Sequence, residues 1–147
     1  MILIKNWQEA QREAYFVRES VFIQEQGVPA ALELDEFDYQ AQHALAYQAS
    51  KCIGTGRLVI LSPKEGRIGR MAVLKAYRGK GFGKLLLQSL IGQAGQQGLT
   101  QLTLHAQLTA ISFYEPFGFE AVGEPYDEAG IPHRDMILHI FTLDQNL

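Results

Sequence analysis

The clearest hydrophobic pattern in the chain runs through residues 66–98. Arg67-Ile68-Gly69-Arg70-Met71-Ala72-Val73-Leu74 reads as a strand, and Leu85, Leu86, Leu87, Leu90, Ile91 and Ala94 then recur at helical spacing. Gly98 stands where a helix ends on a left-handed residue. Gly92 and Gly95 weaken the second half of that helix by roughly 1 kcal/mol each relative to Ala. Between strand and helix lies Arg78-Gly79-Lys80-Gly81-Phe82-Gly83.

The flanking pattern predicts further elements. Ile2-Leu3-Ile4 is a short first strand. Asn6 followed by Glu9 has capping-box spacing, and Ala10, Ala14, Val17 and Val21 then share a helix face that fades near Gln24–Gly27. Residues 27–42 read as a loop or broken helix in which Glu33, Asp35, Glu36 and Asp38 alternate with Leu32, Leu34, Phe37 and Tyr39. Such a segment is either a solvated acidic loop or one that turns carboxylates inward to attract an amine. Ala44–Tyr47 and Ile53–Leu61 are strands, with Arg57 inside the second, and they should pair with residues 66–74 as antiparallel neighbours. Leu102–Ala106 is the next strand, and Thr109 to Phe117 is short and helical with Thr109 as its N-cap. Phe119–Val122 is another strand, residues 124–132 a loop with Pro125, Gly130 and Pro132, and Met136–Leu143 the last strand. The order is β-α-loop-β-β-β-α-β-α-β-β, with residues 1–147 as one domain.

Composition narrows the setting more than the function. With 147 residues, 47% hydrophobic and 20% charged, the chain has an ordinary globular balance. No apolar run approaches the roughly 20 residues that span a bilayer, and Met1-Ile2-Leu3-Ile4-Lys5 does not resemble a signal peptide. Cys52 is the only cysteine, so a reducing, cytoplasmic location is expected. A formal net charge of −3 argues against a nucleic-acid partner. His43, His105, His133 and His139 have no metal-ligand spacing, and no metal is expected.

The glycine hexapeptide carries the chemistry. Gly79, Gly81 and Gly83 let the chain turn sharply at a strand-to-helix junction. The amides freed at the helix start favour an anion, to which Arg78, Lys80 and Lys84 add charge. The spacing is not that of a P-loop, because neither Lys is followed by Ser or Thr. It is not the dinucleotide fingerprint either, because the third glycine falls one residue early.

Arg78, Gly81 and Gly83 fit Arg/Gln-x-x-Gly-x-Gly/Ala, which resembles the acyl-CoA pyrophosphate loop of the GNAT family of N-acetyltransferases. Phe113-Tyr114-Glu115-Pro116-Phe117-Gly118-Phe119 is similar to the Phe-Tyr-x-x-x-Gly-Phe segment of the same family, and lies in the expected order. Val21 to Pro29, Glu33-x-Asp35-x-x-Asp38 and Gly130-Ile131-Pro132-His133-x-x-Met136 resemble its ElaA-type subgroup. The resemblance implies an α/β (α+β) fold with a mixed, mostly antiparallel sheet of about six to seven strands. Helices flank that sheet, and it splits around the cofactor between Met71–Leu74 and Leu102–Ala106.

It also implies acetyl-CoA as acyl donor. Pantetheine would lie on backbone groups of Met71, Ala72 and Val73, and the phosphates on Arg78, Gly79, Lys80, Gly81, Phe82, Gly83 and Lys84. Gln107, where the family often has Asn, and Ser112 would stand beside them. The acceptor is a small amine, an exposed lysine or an N-terminus, with Phe22, Glu25, Asp35, Asp38 and His105 around it. A base must take the amine's proton. Glu33, Asp35, His133 and His105 are candidates, with Glu33 slightly ahead because an inward acid would also recognise a cation. Tyr114 occupies the family's general-acid position for the leaving thiolate. Cys52 is expected to be non-catalytic, which leaves direct attack of the amine on the thioester. The alternative is a CoA-binding sensor or partner module without chemistry. No membrane partner is expected, and a monomer or homodimer is.

Overall fold

The computed structural model describes residues 1–140 of the chain. Seven strands form one sheet in the order β1-β2-β3-β4-β5-β7-β6. They are β1 (Ile2–Lys5), β2 (Gln42–Gln48), β3 (Lys51–Ile60), β4 (Glu65–Val73), β5 (Gln101–Gln107), β6 (Glu120–Glu128) and β7 (Ile131–His139). All neighbours are antiparallel except β4 and β5, which are parallel.

Two apolar layers cover the sheet. Helix α3 (Phe82–Gln96) lays Leu86, Leu87, Leu90 and Ala94 onto Ile53, Leu58, Ile68, Leu102 and Leu104. Helix α1 (Trp7–Arg18) places Trp7, Ala10, Ala14 and Val17 over Leu45, Cys52 and Ala72 on the other face. The N-cap is as expected: Asn6 Oδ1 accepts from the Glu9 amide at 3.0 Å. Helix α3 ends in a Schellman arrangement, with Leu99 N bonded to Ala94 O at 3.0 Å and Gly98 N to Gly95 O at 3.1 Å.

Several boundaries differ from the sequence reading. Residues 124–132 are mostly the two arms of the β6–β7 hairpin, in which Tyr126, Asp127 and Glu128 pair with His133, Pro132 and Ile131. Pro125 is tolerated because it falls where the register shifts, between Val122 and Tyr126. Strand β7 therefore starts earlier than expected and ends at His139, while the predicted continuation over 141–143 lies outside the described residues. Thr109 is no N-cap: it sits inside a 3-10 turn, and the short helix α4 (Ile111–Tyr114) follows Ala110 with no side-chain cap. Residues 27–42 hold helix α2 (Ala30–Glu33) and a 3-10 turn, Glu36–Tyr39. Among the described residues no helix is long and apolar enough to cross a membrane.

Candidate active site

The site begins where β4 and β5 part. They pair only over Glu65–Arg67 against Gln101–Thr103. Beyond that rung each strand keeps its other neighbour, β3 or β7, and a wedge opens between them. A bulge in β4 sharpens the parting. Thr55 pairs with Ala72 and Arg57 with Gly69, so Arg70 and Met71 together oppose Gly56. Arg70 has φ +50°, strained for a residue with a Cβ. A Cβ on Gly56 would press on the Met71 sulfur and on Leu90, so a larger residue there would have to displace those side chains.

The wedge leaves backbone groups without a strand to bind. Leu74 N donates to Ile53 O at 2.9 Å. Peptide groups alternate sides along an antiparallel strand, so Ala72, opposite Thr55, turns towards β3, and Val73 turns into the gap. Arg78 Nε meets the Val73 carbonyl there at 2.9 Å. Of the expected backbone contacts, Met71 and Val73 thus face the wedge and Ala72 does not.

The glycine loop closes one end of the wedge. Gly79 and Gly81 have φ +77° and +88°, and Gly81 is the N-cap of α3 with no side-chain cap on the amides that follow. Nothing lies within 4 Å of a Cβ built on either glycine, so they are needed for backbone conformation and not for space against the protein. Gly83 differs, because a Cβ there would press on the Phe113 ring at 3.3 Å. Lys80 and Lys51 both lie 5.7 Å from the centre of the Tyr77 ring, which brings a cation the sequence reading had not included beside the loop. Arg78 binds Glu25 through two hydrogen bonds of 2.6 and 2.8 Å, and the pair holds the Glu25 carboxyl below its usual range. Glu25 therefore belongs to the loop end of the site. Phe82 and Lys84 open α3, and Ser112 stands exposed on α4.

A cleft of about 590 Å³ occupies the wedge on the α1 face. It gathers Phe22, Glu33, Asp35, His105, Gln107, Tyr114 and His133, residues far apart in sequence. Gln107 exchanges amide hydrogen bonds with Gln26 at 2.9 and 3.5 Å. Tyr114 is 8% exposed, with its ring edge-on to Phe113 and Phe119 at centroid distances of 5.0 and 5.9 Å. Burial pushes its hydroxyl up to about 12.

In the acidic segment Glu36 stays exposed, whereas Glu33, Asp35 and Asp38 are held by arginines. Arg18, fully buried, donates to Glu33 Oε1 at 2.6 Å and to Asp38 Oδ1 and Oδ2 at 2.8 and 3.1 Å. Arg57 binds Asp35 twice, at 2.7 and 2.9 Å, and Asp38 at 2.9 Å. Arg70 reaches Asp35 Oδ2 at 3.2 Å and the Glu33 carbonyl at 2.9 Å. Burial alone would raise the carboxyls of Asp35 and Asp38, but their arginine hydrogen bonds prevail and hold both below the usual range. Asp38, expected beside the acceptor, does not line the cleft, because it is turned inward onto Arg18 and Arg57. Glu33 lines the cleft yet is 1% exposed and committed to Arg18. The signal for this network was Arg57, a charge inside a strand that is otherwise buried.

The histidines form a second cluster. His105 Nδ1 lies 3.0 Å from Glu128 Oε1, and His133 Nε2 lies 3.6 Å from Glu128 Oε2. The Tyr126 ring stacks on His133 at 6.2 Å, and its hydroxyl donates to Asp135. His133 Nδ1 sits 2.7 Å from the Ile131 carbonyl, which can only accept. Nδ1 therefore carries the proton, and in the neutral ring Nε2 is left bare towards the cleft. Glu128, Tyr126 and Asp135 were invisible to the sequence reading, which took residues 124–132 as a loop. His43 is structural: its Nε2 is 3.0 Å from the Asp38 carbonyl, and burial lowers its pKa.

Comparison with known proteins fits this geometry. Residues 8–140 match the acetyltransferase (GNAT) domain family. The chain belongs to the GNAT family of acetyltransferases. It is 35% identical to the uncharacterized N-acetyltransferase YjcF of Bacillus subtilis (strain 168) over 137 residues, 92% of this chain and 96% of the relative. A crystal structure from Lactobacillus plantarum superposes with a TM-score of 0.88 at 36% identity, covering 96% of this chain and 98% of that one. Escherichia coli ElaA superposes with a TM-score of 0.84 at 26% identity, covering 93% and 98%. The GNAT assignment gives the wedge and glycine loop a common purpose, since enzymes of this fold use acyl-CoA. The Val73 backbone turned away from β3, the uncapped α3 amides and the cations beside the loop suit that donor. Cys52 is buried on the α1 side, and burial pushes its thiol up to about 11.

Proposed function

We propose that this protein transfers an acetyl group from acetyl-CoA to an amine by direct attack. The observation that carries the reading is the parting of β4 and β5 after the Arg67–Thr103 rung, with Val73 turned into the gap beside the Gly79–Gly81 loop. Gly79 to Lys84, Lys51 and Arg78 hold the phosphates, and Met71 and Val73 hold the pantetheine amides. The Val73 amide is the candidate donor to the thioester oxygen as charge develops on it.

His133 is the base. Its bare Nε2 takes the proton that the amine nitrogen sheds on attacking the carbonyl carbon, and Glu128 stabilises the resulting imidazolium at 3.6 Å. Glu33, slightly ahead among the four candidates in the sequence, suits the role less, because protonating a carboxylate held by Arg18 at 2.6 Å would break a buried ion pair. As the C–S bond breaks, sulfur leaves as a thiolate. A free thiol has a pKa of about 8.5, so full proton transfer from Tyr114, at about 12, runs uphill. Tyr114 instead stabilises the thiolate by hydrogen bonding, and the thiolate takes its proton from solvent. Cys52, buried away from the cleft with its thiol at about 11, forms no acyl-enzyme.

The test is release of free CoA from acetyl-CoA with a panel of primary amines, with the acetylated product identified by mass. Amine-dependent release with one acetylated product per CoA is expected. Tight acetyl-CoA binding without product from any amine, peptide lysine or peptide N-terminus would overturn the reading in favour of a binding module.

A further inference from the structure

The arginines lining the cleft are unequal in one respect. Arg57 is bound to Asp35 and Asp38, Arg70 to Asp35 and the Glu33 carbonyl, and Arg78 to Glu25. His105 and His133 share Glu128. Each carboxylate that lines the cleft has a partner among the described residues, Glu33 on Arg18, Asp35 on Arg57 and Glu128 beside His105, although Glu33 Oε2 is itself buried without a hydrogen bond. Arg67 alone among these arginines has no hydrogen bond or ion pair with the described residues, and its Nε is buried without a partner among them.

The position of Arg67 gives this meaning. It stands on the last β4 rung paired with β5, opposite Thr103, at the closed end of the wedge. The Thr103 hydroxyl is also buried without a partner, so it does not satisfy the guanidinium. The neighbours Gly66 and Ile68 face the α3 core, which leaves Arg67 on the opposite face of the sheet, with Arg57 and His105. A buried guanidinium edge without an acceptor is costly, and its planar fork matches a carboxylate or phosphate. Among the described residues no carboxylate pairs with it, not even Glu33, whose Oε2 also lacks a hydrogen bond.

We propose that Arg67 is the binding residue for an oxyanion carried by the acceptor, so that the substrate is an amine bearing a carboxylate or phosphate and not a polyamine or a simple alkylamine. This rests on the reading of the cleft as an acetyltransferase site. It departs from the alternative in which carboxylates of residues 27–42 turn inward to attract an amine, since Glu33, Asp35 and Asp38 turn inward onto arginines.

The experiment has a binding arm and a turnover arm, on wild type, Arg67→Gln and Arg67→Lys. In the binding arm, glutarate and ethyl phosphate, which lack an amine, are titrated by calorimetry in the presence of CoA, which occupies the loop cations. At least tenfold weaker binding to Arg67→Gln than to wild type is expected for one of the two, with partial recovery in Arg67→Lys. Which probe responds tells carboxylate from phosphate. Equal binding to all three proteins overturns the proposal. In the turnover arm, ω-amino carboxylates and aminoalkyl phosphates are compared with alkylamines of the same length. The ratio of kcat/KM for the anionic over the neutral amine is expected to exceed ten in wild type and to fall at least tenfold in Arg67→Gln. A ratio below one, or one unchanged by the substitution, overturns the proposal. So does an Arg67-dependent gain seen with succinyl-CoA as donor, which would put the oxyanion on the acyl group. Arg67-dependent oxyanion binding without turnover of any amine would refute the acetyltransferase reading and leave the oxyanion subsite standing. Thermal melts of the variants guard against misfolding. Loss of a half-buried charge with no partner among the described residues should leave the midpoint near that of wild type.

Discussion

Arg18 Nε and Glu33 Oε1 lie 2.6 Å apart, and neither side chain is more than 1% exposed. This contact ties the end of α1 to the segment that roofs the cleft. With Arg57 and Arg70 it turns a run of acids in a loop into a scaffold spanning α1, β3 and β4. The cleft wall is thus set by charge pairing as much as by apolar packing.

Arg18→Met should destabilise the protein by about 3–5 kcal/mol, because it leaves Glu33 and Asp38 buried without their main partner. Chemical denaturation with a two-state fit measures this. A loss below about 1 kcal/mol would show that the network contributes little to holding the fold.

The same network predicts sensitivity to acid. The carboxyls of Asp35 and Asp38 are held below their ordinary value of 3.8 in the folded state. A group with a depressed folded pKa stabilises fully above its unfolded pKa and loses that stabilisation as pH falls through the folded value. The melting midpoint should therefore change little from neutrality to about pH 5 on account of these groups, then fall progressively below about pH 4. A shallower acid fall is expected in Arg57→Gln, measured over the same range.

Much of this arrangement was legible in the sequence, and the gaps have physical causes. The strand–glycine loop–helix unit could be read because local periodicity and backbone freedom determine it, as Gly81 at φ +88° shows. The direction in which Glu33, Asp35 and Asp38 point could not, since it depends on arginines 15 to 35 positions away in sequence. Arg57 inside a buried strand was a clue that an acid had to come to it. His105 and His133 were legible as candidate bases, but their neighbours Tyr126 and Glu128 were hidden by Pro125, Gly130 and Pro132, which read as loop punctuation. The hairpin absorbs Pro125 at a register shift and uses Gly130 at φ +80° as its turn.

Gly81→Ala should lose affinity for CoA while keeping most of its stability. Nothing would touch the new methyl group, but φ +88° is a conformation that alanine adopts at a cost of roughly 1–2 kcal/mol. Relief of that strain would displace the amides that receive the phosphates. Calorimetry with CoA is expected to show a loss of about tenfold or more. Gly92→Ala on the same helix has open space and no unusual φ, so it should leave affinity unchanged.

His133→Ala should lower kcat by about 10²–10⁴-fold. The acyl donor does not depend on this side chain, so the dissociation constant for acetyl-CoA should stay within about twofold of wild type. Added imidazole should restore part of the rate, because the substitution opens room for it beside Glu128. Glu33→Gln should differ in kind: its primary effect is on stability, through Arg18, with no imidazole rescue. A variant of His133 with wild-type kcat would remove it as the base.

Tyr114→Phe separates packing from chemistry. The ring that packs on Phe113 and Phe119 is retained and only the hydroxyl is removed, so the folded state should survive with a small change in stability. Acetyl-CoA binding should be nearly unchanged, because the hydroxyl matters most once sulfur carries charge. The size of the kcat loss tells how the hydroxyl acts. A general acid contributes about 10²–10⁴-fold, whereas burial pushes Tyr114 up to about 12, well above a leaving thiol at about 8.5. A hydrogen bond to the departing thiolate is therefore its accessible role, and a loss of about 10–10²-fold is expected, near the 1.5–3 kcal/mol of a hydrogen bond to a charged group. Single-turnover measurement of the chemical step checks this without interference from product release. A loss beyond about 10³-fold would mean that Tyr114 delivers its proton in the transition state, and wild-type kcat in the folded variant would remove it from the reaction altogether.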